Sequence, residues 1–313
     1  MFRLKMRYTW LVASLLALKP CFGQSETRPD VRSKVVAISP SDTIIRPFNG
    51  HSLAGFTKWL QDTKQKDPQS DYRVTNGMIH IGGRGMGYLA TVDSYRDYHL
   101  SVEYNWGQRT DGSKNVRNSG ILLHATGPPG NARGIWMASI ECQLAQGCEG
   151  DLIVIRGKDA DGKVIPVKLT SDTRTASDGR TRWQPGGAKT AYSGKQFWWS
   201  RHEAGFQELL DTRGKDDVAS PLGQWTLVEC ICESDRITIK VNGTVVNECY
   251  DVFPTAGKIL LENEKNEIYF RNLQIRPLKK QPKTKPSSGK PTPVSSLPRD
   301  GRGKPQRQFQ NPC

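Results

Sequence analysis

This 313-residue sequence is first defined by what it lacks. Nowhere does an apolar pattern of period 3.6 persist, so amphipathic helices are not expected to build the fold. The apolar run Tyr8 to Leu18 is too short for a membrane-spanning helix. The basic excess, +14 overall, is absent from the centre of the chain. Residues 279–313 hold nine Lys or Arg against Asp300 alone and carry +8, the first 23 residues carry +4, and residues 24–278 keep only +2. A nearly neutral body lacks the basic stripe that nucleic-acid binding requires, which excludes nucleic acid as a partner. Metal-ligating sets are missing too. Cys230-Ile231-Cys232 has the wrong spacing for a zinc knuckle and no His lies near it. No metal site is expected, and the sequence names no cofactor.

The ends read as processing and linker segments. Arg3, Lys5 and Arg7 precede the apolar run, and Lys19-Pro20-Cys21-Phe22-Gly23 follows it. That order predicts a secretory signal peptide over residues 1–23, and hence a secreted or periplasmic protein. Leu18-Lys19-Pro20-Cys21 lacks the small residues expected before a lipid-modified cysteine. Residues 24–43 read as a leader. Residues 279–313, rich in Pro, Ser, Gly and Lys, have too little apolar surface to offset ordering entropy and are expected to be disordered. Their charge suits either an acidic envelope surface or plain solvation. With Cys21 removed, six cysteines remain: Cys142, Cys148, Cys230, Cys232, Cys249 and Cys313. An oxidising compartment permits disulfides, and the spacing of Cys142 and Cys148 predicts one pair.

Between the ends, residues 44–278 carry repeated strand signals. Tyr98 to Trp106 alternates apolar and polar residues cleanly. Ser119 to His124, Ile135 to Leu144, Asp151 to Arg156 and Lys163 to Leu169 follow, separated by Gly, Pro and Asp turns. Thr226–Glu233, Arg236–Val241 and the strand from Thr244 form a meander whose second turn, Asn242-Gly243, is the strongest short hairpin signal available. Lys258–Glu262 and Glu267–Arg276 close the set. Many antiparallel strands over about 235 residues predict an all-β, two-sheet antiparallel sandwich of jelly-roll type.

Three motifs carry no function on this reading. Gly83-Arg84-Gly85-Met86-Gly87 leads into a strand rather than the helix a phosphate loop needs. Asp159-Ala160-Asp161-Gly162 lacks the closing Glu of a calcium loop, with Thr170 in its place. Asn242-Gly243-Thr244 matches a glycosylation sequon, but the turn reading is preferred.

The polar residues that alternate with core positions are the candidates for chemistry. Glu103 and Asn105 alternate with Val102, Tyr104 and Trp106; Asn118, Gly120 and His124 share parity on the next strand. Glu141 and Gln143 alternate with Ile140, Cys142 and Leu144 on the third. If one concave face collects them, three strands together offer carboxylate, amide and imidazole. The adjacent pair Trp198-Trp199 would point to opposite faces if extended, so at least one indole is expected to be exposed to the cleft or on the other side. Indole faces with amides and carboxylates suit a sugar ligand.

Phe48-Asn49-Gly50 with Leu53-Ala54-Gly55-Phe56, Gly87 to Thr91, Tyr95 to Leu100 and Asn118-Ser119-Gly120-Ile121 resemble, in order, the 3-keto-disaccharide hydrolase family. Trp136 to Asp151, Gly257 to Leu261 and Phe270-Arg271-Asn272-Leu273 continue the resemblance. Residues 262–267, ENEKNE, are more charged than the family's usual pattern there. The resemblance implies a concanavalin A-like fold and cleavage of oxidised di- or oligosaccharides bearing a C3 ketone. Such a site needs a base, an enolate-stabilising group and an acid. Glu141 or His124 is the candidate base, with His202 a further acid–base candidate. Arg271 or Asn118 is the candidate stabiliser, and Glu103, Gln143 and Trp199 are candidate substrate contacts. A conventional retaining glycosidase is less suited, because Glu141-x-Gln143-x-Ala145 lacks the second carboxylate on that strand. The alternative from another class is a non-catalytic, lectin-like binding module.

Overall fold

The computed structural model describes residues 36–278; the expected signal peptide, most of the leader and the basic tail lie outside them. Among the described residues the secondary structure is strand and turn, with no helix, and none is long and apolar enough to cross a membrane. Two antiparallel sheets face one another. The six-stranded sheet runs in the order Leu152–Ile155, Ala138–Gln143, Gly120–Thr126, Lys258–Glu264, Met86–Thr91, Phe56–Leu60. The ten-stranded sheet has Tyr98–Trp106 near its middle, between Thr226–Glu233 and Ile268–Pro277. The chain is thus the all-β, two-sheet sandwich of jelly-roll type that its alternation predicts.

The main core lies between the sheets. Leu100, Val102 and Tyr104 of one sheet meet Ile121, Leu123, Ile140 and Leu261 of the other, all buried. Each such aliphatic side chain contributes about 1.5–3 kcal/mol when taken fully out of water. Because strand side chains alternate, the neighbours of these residues point to the outer faces. On the six-stranded sheet that outer face is itself partly covered. Ala132, Trp136 and Met137 of the loop after Gly120–Thr126 pack on Tyr88, Ala90, Leu122 and Leu260. Trp59 donates to the Gly134 carbonyl at 3.0 Å and Gly130 N–H donates to the Tyr88 hydroxyl at 3.2 Å, pinning the loop down. The rest of this face, beyond the loop, carries the polar residues.

Turn chemistry follows the sequence closely. Asn242 and Gly243 both have positive φ, 48° and 80°, the geometry a tight hairpin demands. Asp159 closes its turn by accepting from the Asp161 and Lys163 amides at 3.0 and 2.9 Å. The expected Lys163 to Leu169 strand starts later, and the ladder runs over Lys168–Thr175.

The Cys142–Cys148 pairing is not formed. Both are free, buried thiols, as are Cys230, Cys232 and Cys249. The reason is alternation: Cys142 is on the inner face, against Cys230 in the main core, whereas Cys148 packs with Val116 and Ala145 outside it. Six residues of separation bring the backbones near, but the sheet stands between the side chains.

Candidate active site

The outer face of the six-stranded sheet is built row by row. Leu260, Leu122 and Glu141 are partners across three strands, and Gly120 is the partner of Gln143 in the next row. Tyr88 pairs with Glu262, and Glu262 follows Leu260 by two, so Glu262 shares the row of Gly120 and Gln143. Glu264 lies two residues further on. Gly120 is what lets this row close up. A methyl group on it would come within 2.5 Å of Glu262 Oε2 and 2.8 Å of Glu141 Oε1. The two carboxyl groups lean together over the one position on the face without a side chain.

Beside them lies a cleft of about 450 Å³, whose walls include Asn118, Gln143, Cys148, Gln196, Glu208 and Glu264. Gln143 accepts from the Leu144 and Ala145 amides at 2.8 and 3.0 Å. With its carbonyl oxygen held, its amide nitrogen is the end left for a ligand. Asn118 donates its amide to Glu264. Beyond the strands, the cleft wall is fixed by Asp151, which accepts from the Trp199 amide at 2.6 Å and from Gln196 at 2.5 Å. Arg117 ties the next loop down through Asp211 at 2.8 Å.

The electrostatics are dominated by burial of like charges. Glu141 is 5% exposed and Glu262 1%. Burial raises the pKa of Glu141 well above the usual carboxylate range, and nearby Glu264 and Asp151 add to it, while a hydrogen bond with Glu262 acts the other way. Burial also raises Glu262, reinforced by Glu141 and Glu264. Glu264 is pushed up to about 7 by burial, against the opposing hydrogen bond from Asn118. Among the described residues no metal-ligating group of three His, Cys, Asp or Glu is assembled.

Of the residues singled out from sequence, Glu141, Gln143 and Asn118 come together here. The others do not join them. Glu103 and Arg271 face outward on the ten-stranded sheet, where they are ion-paired at 2.5 Å and Arg271 covers Trp225 at 3.9 Å. Alternation placed Glu103 on the correct side of its strand, but that strand belongs to the other sheet. His124 sits at the far end of Gly120–Thr126. A backbone irregularity there, with His124 at φ 54°, turns its ring against Tyr98, and its Nδ1 meets the Pro254 carbonyl at 2.9 Å. Burial lowers its pKa to about 4. Trp199 is a core residue whose indole N–H donates to the Gly147 carbonyl at 3.0 Å. His202 is buried behind the cleft wall, with Nε2 3.7 Å from Cys148 Sγ. Burial, with Arg180 and Arg182 acting in the same direction, lowers its pKa to about 4.

Glu262 and Glu264 were not among the sequence candidates, although their period-two spacing in Lys258–Glu264 was a usable signal. Gln196 and Glu208 come from irregular loops and had none.

Comparison with known proteins comes from one family and several solved structures. The family model described as a 3-keto-alpha-glucoside-1,2-lyase-like domain matches residues 43–276. A candidate glycosyl hydrolase from Parabacteroides distasonis is 17% identical, with 75% of this chain and 94% of that chain covered and a TM-score of 0.42. A Bacillus licheniformis β-glucanase is 10% identical, covering 76% and 99%, with a TM-score of 0.37. The carbohydrate-binding module CBM66 from Bacillus subtilis is 9% identical, covering 70% and 93%, with a TM-score of 0.36. No curated protein matches the sequence significantly.

Proposed function

This chain belongs to the 3-keto-alpha-glucoside-1,2-lyase-like family, and on that premise we propose that it cleaves the glycosidic bond of 3-keto-glycosides by elimination and hydration. The observation that carries the reading is the carboxyl cluster of Glu141, Glu262 and Glu264 set beside an amide-lined cleft. A C3 ketone acidifies the hydrogen on C2. Glu141 takes that proton, the electron pair forms an enolate with negative charge on the ketone oxygen, and collapse expels the oxygen on C1. The C1–O bond breaks as a C1–C2 double bond forms, and water then adds its oxygen to C1 and a proton to C2.

Two of the steps ask for groups that line the cleft itself. Gln143, anchored through its carbonyl oxygen, can turn its amide hydrogens toward the enolate oxygen. Glu264, raised to about 7, is suited to protonate the departing oxygen near neutral pH. The low-dielectric floor strengthens both interactions.

The test is incubation with a 3-keto-disaccharide and with its unoxidised parent, followed by product analysis. Cleavage of the ketone alone is expected. Binding of both sugars without cleavage of either would make the chain a lectin-like module instead. The reading also places the protein outside the cytoplasm, on the strength of residues 1–23. N-terminal sequencing of the mature protein should begin at Gln24; an intact Met1 would overturn that placement.

A further inference from the structure

Glu262 is the one member of the cluster that the mechanism above leaves without a task. It is nearly inaccessible, and neither of its carboxyl oxygens receives a hydrogen bond from an N–H or a hydroxyl. An ionised carboxylate so placed would be a buried charge with no compensation, which proteins do not sustain. A neutral carboxyl group, by contrast, has one O–H to donate, and the acceptor available to it is the Glu141 carboxylate that meets it over Gly120. The groups packed around the pair do not offer another solution. Glu264 on its own strand and Asp151 beyond the neighbouring strand are both acidic. The Tyr88 hydroxyl from Met86–Thr91 accepts from Gly130 and makes no hydrogen bond to Glu262, and Tyr192 approaches from the Glu141 side as a neutral hydroxyl.

We propose that Glu262 is a positioning residue: it stays protonated, donates its O–H to Glu141, and so fixes which carboxylate oxygen Glu141 turns to the substrate. The pair works as a unit holding one proton, with the negative charge confined to Glu141, the less deeply buried member. A charge-assisted O–H···O⁻ contact of this kind is short and directional, so it orients the base as well as keeping it ionised. Gly120 is the structural condition for it, since a side chain there would separate the two carboxyl groups. This inference rests on the reading of Glu141 as the base, but the protonation of Glu262 can be measured without any turnover.

The experiment uses the full chain in three forms: wild type, Glu262→Gln and Glu262→Ala. Glutamate side chains are labelled with carbon-13 at the carboxyl, and pH titration is followed by NMR without substrate. The resonance missing from Glu262→Gln is that of Glu262. It should remain in its protonated form at pH 7, far above the usual carboxylate transition. A Glu262 resonance titrating in the usual range overturns the proposal whatever the activity.

Kinetics on a 3-keto-glycoside supply the second arm. Glu262→Ala should lower kcat about tenfold or more with little change in KM, and Glu262→Gln, which keeps a donor in the same place, should recover most of the loss. Wild type should lose activity at high pH as the shared proton leaves, and Glu262→Gln should not lose it at that pH. Equal loss in the Ala and Gln variants, or identical pH profiles for wild type and Gln, overturns the proposal. Absence of turnover in all three forms contradicts the keto-glycoside reading, while the NMR result still decides the state of Glu262.

Discussion

At the scale of single residues, Glu141 bears the most weight. Its carboxyl is buried against two others on one face, so its charge depends on how the group shares protons. Replacing it with Gln keeps the shape and removes the acceptor that the proposed reaction needs. Glu141→Gln should therefore retain KM within a few-fold and lose turnover by about a hundredfold or more. Near-normal turnover on a 3-keto-glycoside would remove Glu141 from the role of base. That Glu141 and Gln143 share one face of their strand was legible in the alternating segment alone. The placement of His124 was not, because one residue with positive φ near the end of the strand reverses the parity that alternation assumes. The free state of Cys142 and Cys148 was likewise hidden, since sequence distance says nothing of which side of a sheet each thiol takes.

At the scale of strands, most elements could be read directly. Thr226–Glu233 and Arg236–Val241 lie where the hairpin signals put them. What could not be read was which strands are neighbours. Tyr98–Trp106 pairs with Thr226–Glu233 and Ile268–Pro277, not with Gly120–Thr126, and this separates Glu103 and Arg271 from Glu141. Likewise, Lys258–Glu264 reaches the site only because it pairs with Gly120–Thr126, more than a hundred residues earlier in the chain. The row through Glu262, Gly120 and Gln143 also makes a prediction. Gly120→Ala pushes a methyl group into the space shared by the two carboxyls, and overpacking of this kind costs about 1–3 kcal/mol. The variant should fold with a lowered melting temperature and with turnover reduced far more than KM is raised. Unchanged turnover would mean that the close approach of Glu141 and Glu262 has no part in the chemistry.

At the scale of the whole molecule, buried ionisable groups set how stability depends on pH. Glu264 is raised to about 7 and Glu149 to about 8, both by burial first. The folded chain therefore holds protons that the unfolded chain releases near pH 4.5, and these groups weaken the fold as pH rises from about 4.5 through about 8. His124 and His202 have the opposite sense. Lowered to about 4, they stay neutral while the unfolded chain binds protons, so they weaken the fold as pH falls from about 6.5 through about 4. Glu267, lowered to about 2 by the Arg109 and Gln108 amides and His80 against burial, adds to the loss in acid. Melting temperature measured against pH should be highest on the acid side of neutrality, between about pH 4 and 6.5, and fall on both sides. A peak above about pH 8 would contradict the burial of these carboxyls as neutral acids.

The most direct test of the central claim, that a C3 ketone is used to remove a proton from C2, is isotopic. A 3-keto-disaccharide carrying deuterium at C2 should be cleaved more slowly than the same sugar with hydrogen there, and in ordinary water the released keto-sugar should have lost its label. Cleavage at an unchanged rate, with the deuterium fully retained at C2, would show that the glycosidic bond breaks without proton abstraction and would contradict the account.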